Sequence, residues 1–242
     1  MLHSRPFRDS SLIVEVFTRN HGRVGLVARG GRRMSGKRGP GQRALLQPLQ
    51  PLILTWQGST DLVTLISHEA NGPACTLMGE NLYGALYMNE LLLRLTTRHD
   101  AHPGLFDSYE QSLHRLMGAA RMHEPLRLFE KQLLDDIGYG LNLESDYLGQ
   151  PVMPEQEYDY RLETGAVPVS SELQQAEKTQ GIRIYGHELL ALSKAIITAE
   201  NEPVIRRLLG SALSVVLGPK PLQTRELIKA LHAGKNPGNV TD

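Results

Sequence analysis

Apolar and polar positions alternate with a period of two through the first 70 residues, then change to helical spacing. "SSLIVEVFT" (10–18) puts Leu12, Val14 and Val16 on one face. "GRVGLVARG" (22–30) does the same with Val24, Leu26 and Ala28, and sets Val27 and Arg29 on the other face. Asn20, His21 and Gly22 between them supply hairpin-turn chemistry. "ALLQPLQPLILTW" (44–56) and "DLVTLISHEA" (61–70) predict two further strands around a turn at Gly58-Ser59, with Pro48 and Pro51 marking an edge or a bulge. Residues 1–5 offer only a stub. Short antiparallel strands in so small a unit predict a barrel rather than a parallel sheet.

From about residue 73 the pattern predicts helices over 81–98, 103–118 and 123–140. In the third, Leu126, Phe129, Leu133 and Ile137 share a face, Pro125 suits the first turn and Gly138 the C-terminal cap. Residues 141–186 lose helical periodicity and read as an irregular insertion of loops or short strands, with Asp159 and its neighbours Glu155 and Glu157 as solvated surface. Helices resume over 187–199, 204–217 and 224–233; Pro203 opens the second, Gly218-Pro219 stops it, and Thr224 caps the last. The expected fold class is α+β: a barrel over 1–72, a helical domain over 73–140 and 187–242, and the insertion over 141–186.

Charge changes this picture in one place. The chain of 242 residues has formal net charge zero, yet residues 1–43 hold ten Lys/Arg and two acids. Six of the cations, Arg29, Arg32, Arg33, Lys37, Arg38 and Arg43, fall in "ARGGRRMSGKRGPGQR" (28–43), which contains no acid. Such a segment predicts an anion-binding face. "GRRMSGKR" approaches a nucleotide-binding loop, but Arg38 stands where a magnesium-binding hydroxyl is needed, and "GPG" follows where a helix should start. A flexible, glycine-rich cationic loop on a small barrel suits a nucleic-acid backbone better. Aromatics for base stacking are few there (Phe7, Phe17 and Trp56), so binding should lean on phosphates.

Other chemistry is thinly represented. One cysteine, Cys75, excludes an internal disulfide and a cysteine-rich zinc site. His99 and His102 beside Asp100 and Asp107 are better explained by a helix-start loop than by a metal. No nucleophile motif is present, so no enzymatic activity, catalytic residue, metal or cofactor is expected. No apolar run approaches the roughly 20 residues of a membrane helix, and the N-terminus has no secretory h-region; a cytoplasmic, nucleoid-associated protein is expected.

Six blocks in order resemble the RecO family of bacterial DNA repair and recombination mediators: "LHSRPFRDSSLIVEVFT", "GRVGLVARGGRR", "LQPLQPLILTW", "LYGALYMNELLLRL", "LRLFEKQLLDDIGYGLN" and "GPKPLQTRELI". They span residues 2–232. The resemblance implies an oligonucleotide-binding (OB) barrel, then a helical domain carrying a zinc-finger-like insertion. It implies binding of single- and double-stranded DNA, annealing of complementary strands, and partnership with RecR and with the acidic C-terminal tail of the single-strand binding protein SSB, leading to RecA loading. Two departures stand out. Residues 141–186 contain no cysteine, so zinc is expected to be absent, and the first strand begins later than is usual in the family. Carried over by position, Arg29, Arg32, Arg33, Lys37, Arg38 and Arg43 match the family's basic strand-end and loop; with Arg5, Arg8 and Arg23 of the basic N-terminal segment they are the DNA-binding candidates. Leu126, Arg127, Phe129, Lys220 and Arg225 become candidates for the SSB tail. The rival reading is a protein-only adaptor whose basic loop meets an acidic partner.

Overall fold

A computed structural model describes residues 1–31, 45–118, 122–169 and 181–234. The chain condenses into two compact units, Met1–Ala120 with Lys220–Asp242, and Arg121–Pro219. These borders differ from divisions drawn on composition, because helices after residue 73 bury their apolar faces against the strands before it.

Unit 1 is built on β1 (His3–Phe7), β2 (Ser11–Thr18), β3 (Gly22–Ala28), β4 (Leu52–Gln57) and β5 (Leu62–Ala70). The sheet order is β1-β2-β3-β5-β4, antiparallel except for β3 with β5. The expected inward faces are inward: Leu12, Val14 and Val16 pack with Val24, Leu26, Ala28 and Val63. One expectation needs correction. The third predicted strand is shorter than expected; residues 46–49 form bends and turns, and β4 starts only after Pro51. A proline there has no N–H to give a ladder, which explains the late start. The ends of the sheet approach each other where the Leu49 amide donates to the Met1 carbonyl (2.9 Å) and the Met1 amine to the Gln50 carbonyl (2.9 Å).

β2 is not half-exposed as alternation alone suggests. Ile13, Glu15 and Phe17 on its outer face are buried as well. Helices α1 (Gly79–Leu95) and α2 (Pro103–Gly118) account for this. Phe17 meets Phe106 and, edge-on, Tyr109. The Tyr109 hydroxyl donates to Asn89 Oδ1 (2.6 Å), and Asn89 Nδ2 donates to the Leu2 carbonyl (2.9 Å), so the polar atoms of this seam are mutually satisfied. Burial pushes the Tyr109 phenol well above its ordinary range.

The last helix, α6 (Gln223–Gly234), belongs to unit 1. Its start is not capped by Thr224 as the sequence predicts: Thr224 lies inside the helix and its hydroxyl donates to a neighbouring carboxylate. The Glu90 carboxylate of α1 accepts the amides of Gln223 (2.7 Å) and Thr224 (2.9 Å) and the Thr224 hydroxyl (2.7 Å). An anion beside amides that lack intrahelical partners is the favourable arrangement. Arg94 Nη1 donates to the carbonyls of Lys220 and Pro221, fixing the approach to the helix.

Unit 2 contains α3 (His123–Asp136), strands β6 (Glu157–Arg161), β7 (Gly165–Pro168) and β8 (Ile182–Tyr185), then α4 (Gly186–Ser193) and α5 (Glu202–Leu217). α3 packs on α5, and Phe129 and Leu133 of the one and Ile205 and Leu209 of the other are all buried. The expected irregular insertion holds an antiparallel sheet, β7-β6-β8. Tyr158, Tyr160 and Ile184 form its buried face. Asp159, expected at the surface, is fully buried: it accepts Arg161 Nε (3.1 Å) and the Gly181 amide (2.8 Å). α4 stops at Ser193, short of the expected 199, because Ala195 turns left-handed (φ 58).

Candidate nucleic-acid interface

The end of the barrel where β1 turns into β2 also receives the end of β3, since Phe7 pairs with Ser11 and Leu12 with Ala28. Three exposed arginines gather at this end: Arg5 on β1, Arg8 in the turn and Arg29 just past β3. Arg8 sits in a left-handed conformation (φ 51), uncommon for a residue with a side chain, and its guanidinium lies 5.1 Å from the Phe7 ring centre. The chain leaves this same end at Gly31 toward the basic segment. Arg32, Arg33, Lys37, Arg38 and Arg43 lie outside the described residues.

Arg23 has a different environment. Its Nη1 pairs with Glu15 Oε2 at 3.1 Å, and its Nε and Nη2 donate to the Thr96 carbonyl at 3.2 and 3.0 Å. Arg98 completes a triad on the other Glu15 oxygen. With 17% of its side chain exposed, Arg23 works as a tie between β3 and the segment after α1, not as an open cation. Arg19, not among the candidates, forms a two-pronged ion pair with Asp107 (2.9 and 2.7 Å), which holds the Asp107 carboxyl below the usual range. Both pairings join residues some 70 to 90 positions apart and carry no local sequence signal. The helices cover the outer face of β2, and among the described residues of the barrel the exposed arginines other than the paired Arg19 are Arg5, Arg8 and Arg29.

The second candidate set divides between the units. In unit 2, Leu126 and Phe129 are core residues, 4% and 0% exposed. Arg127 is buried too: Nη2 pairs with Glu130 at 2.8 Å, and Nη1 lies 3.8 Å from Glu202 of α5. Neither a solvated nor a presented guanidinium, it joins α3 to α5. In unit 1, Lys220 and Arg225 are exposed, and Arg225 stands 5.7 Å from the Tyr87 ring centre.

Among the described residues no three His, Cys, Asp or Glu side chains converge as metal ligands would. His102 instead pairs with Asp100 (3.3 Å). Burial pushes the half-buried Cys75 thiol upward, away from the thiolate form a nucleophile needs. No helix among the described residues is long and apolar enough to cross a membrane.

Two family descriptions match the chain: "Recombination protein O N terminal" over residues 1–73 and "Recombination protein O C terminal" over residues 78–226. The chain is 44% identical to the "DNA repair protein RecO" of Nitrosococcus oceani, covering all of this chain and 94% of that protein. It is 43% identical to the protein of the same description from Alkalilimnicola ehrlichii (96% of this chain, 89% of that one). The one from Coxiella burnetii (strain CbuG_Q212) is 38% identical over 94% and 95% of the two chains.

Proposed function

The chain belongs to the recombination protein O family, with an OB barrel as its N-terminal domain, and from that membership we propose that it is a DNA-binding mediator of recombinational DNA repair. The observation that carries this reading is the gathering of Arg5, Arg8 and Arg29 at the barrel end from which the basic segment departs. The proposed DNA contacts are these three together with Arg32, Arg33, Lys37, Arg38 and Arg43. Their chemistry is phosphate neutralisation with little base readout, so single and double strands should both bind.

Screening the phosphates of one strand lets its complement approach, which is the proposed basis of annealing. Delivery to DNA would come from SSB. Its acidic tail is proposed to meet the exposed cations Lys220 and Arg225, while the buried Leu126, Arg127 and Phe129 keep α3 in place. RecR and RecA loading complete the proposed role; no nucleotide or catalytic residue enters it.

The test is annealing of SSB-coated complementary strands without nucleotide, by the full chain and by a variant with Arg32, Arg33, Lys37 and Arg38 neutralised. The variant should anneal slowly, and its affinity for single strands should depend less steeply on salt. An unchanged salt dependence would remove the segment from the DNA site. Absence of any direct DNA binding would favour the protein-only adaptor.

A further inference from the structure

The sheet of unit 2 carries a surface outside the proposed DNA contacts. β8 ends at Tyr185 and passes through Gly186 into α4. The Gly186 backbone is pressed against residues 153–156: a Cβ there would stand 2.0 Å from the Met153 carbonyl oxygen. The Gly186 amide donates to the Gln156 carbonyl (2.9 Å), and the His187 amide to the Pro154 carbonyl (2.8 Å). Tyr185, His187 and Met153 are therefore held together on fixed backbone. All three are exposed, Tyr185 by 46% and Met153 by 58%, and the Tyr185 and His187 rings stack (centroids 5.6 Å apart, planes at 22°).

Carboxylates predominate among the polar groups around this apolar patch, and the nearby Arg183 lies against the buried Asp159. Glu157 is the direct cross-strand partner of Tyr185, Glu155 is exposed between Met153 and Glu157, and Glu188 accepts the Tyr185 amide (2.8 Å). His187 Nδ1 lies 3.2 Å from the Pro154 carbonyl. A carbonyl only accepts, so in this contact Nδ1 is the donor. Residues 141–169 and 181–188 contain seven acids and two arginines. Both arginines lie against the buried Asp159. Carboxylates, a π face and a thioether are all electron-rich; they repel phosphate and favour a cation.

We propose that Tyr185, His187 and Met153 form a docking point for a basic polypeptide segment of a partner protein. A guanidinium or ammonium group lies over Tyr185 beside Glu155 and Glu157, and an apolar neighbour covers Met153. This surface belongs to unit 2, whereas the exposed arginines of the barrel belong to unit 1, and it needs neither them nor DNA.

The experiment uses the full chain with ¹³C-methyl methionine, the Met153 signal being assigned through Met153→Leu. The probes are the peptide acetyl-Gly-Arg-Leu-Arg-Leu-Gly-amide, the same peptide with Glu for Arg, and a 15-nucleotide oligo-dT. The arginine peptide should move the Met153 methyl saturably, and added salt should weaken it. Tyr185→Ala should weaken it roughly two- to five-fold, the worth of an exposed cation–π contact. Glu155→Lys, a surface change that leaves the fold intact, should weaken it further, while both variants keep the wild-type salt dependence of oligo-dT binding. Four outcomes would each overturn the proposal: no shift with the arginine peptide, equal shifts with the glutamate peptide, a shift with oligo-dT alone, or a Met153 signal that depends on protein concentration without peptide. The last would mean that a second copy covers the patch.

Discussion

Arg23 and Arg29 are close in sequence and equal in charge, yet they should fail in opposite ways. Arg23→Ala removes an ion pair at 3.1 Å to a carboxylate 11% exposed and two donors to the Thr96 carbonyl. Breaking a fully buried pair costs about 3–5 kcal/mol, and a hydrogen bond to a charged group contributes about 1.5–3 kcal/mol. Glu15 keeps Arg98, and the site reaches solvent, so a loss of about 2–3 kcal/mol is expected. With an m-value of about 2 kcal/mol/M, the urea midpoint falls by about 1 M or slightly more. Trp56 on β4 is the chain's single tryptophan, and its fluorescence reports on the barrel. Under native conditions Arg23→Ala should bind oligo-dT with unchanged salt dependence. Arg29→Ala should shift stability by no more than about 0.5 kcal/mol and lower the slope of log affinity against log salt by about 0.7, one phosphate contact. Fluorescence anisotropy over a salt series reads both. A wild-type urea midpoint for Arg23→Ala together with a slope reduced by 0.7 would refute the assignment of Arg23 to the fold.

The remaining predictions concern other seams. Glu90→Gln removes the anion at the start of α6 and should cost about 1–2 kcal/mol, the range of a lost helix cap; hydrogen exchange in residues 223–228 should rise, and wild-type protection there would count against the clamp. Burial pushes the Tyr160 phenol from its ordinary 10 up to about 12. The folded form then keeps a proton that the unfolded chain loses, so stability is full below pH 10 and declines between pH 10 and about 12. Circular dichroism with absorbance at the phenolate band should show unit 2 unfolding in that window, and Tyr160→Phe should abolish this dependence; ionisation of Tyr160 at its ordinary value with the sheet intact would sink the idea. Protein purified without chelator should contain well under one equivalent of zinc and should not melt earlier after chelation; a full equivalent would point to ligands outside the described residues.

Much of the architecture was legible because burial imposes a period. The alternation in 10–18 and 22–30 follows from strands with one face in a core, and the six blocks in family order pointed to the barrel. The sheet of unit 2 was legible only as loops or short strands, because its strands are four or five residues long and place Asp159 and Arg161 among the apolar positions. The spacing of Tyr158 with Tyr160 and of Ile182 with Ile184 was the available signal. Charge was legible only as a sum. Sequence alone was enough to show that the first 43 residues are strongly basic, where β2, β3 and the longer helices lie, and to which family the chain belongs. Tertiary structure alone decided which cations remain outside. Arg23 meets Thr96, Arg19 meets Asp107 and Arg127 meets Glu202, and these partners are brought within reach only by folding. The physical reason is range: periodicity records what each residue does to its own strand or helix, whereas an ion pair depends on which distant segment the packed core brings to its side.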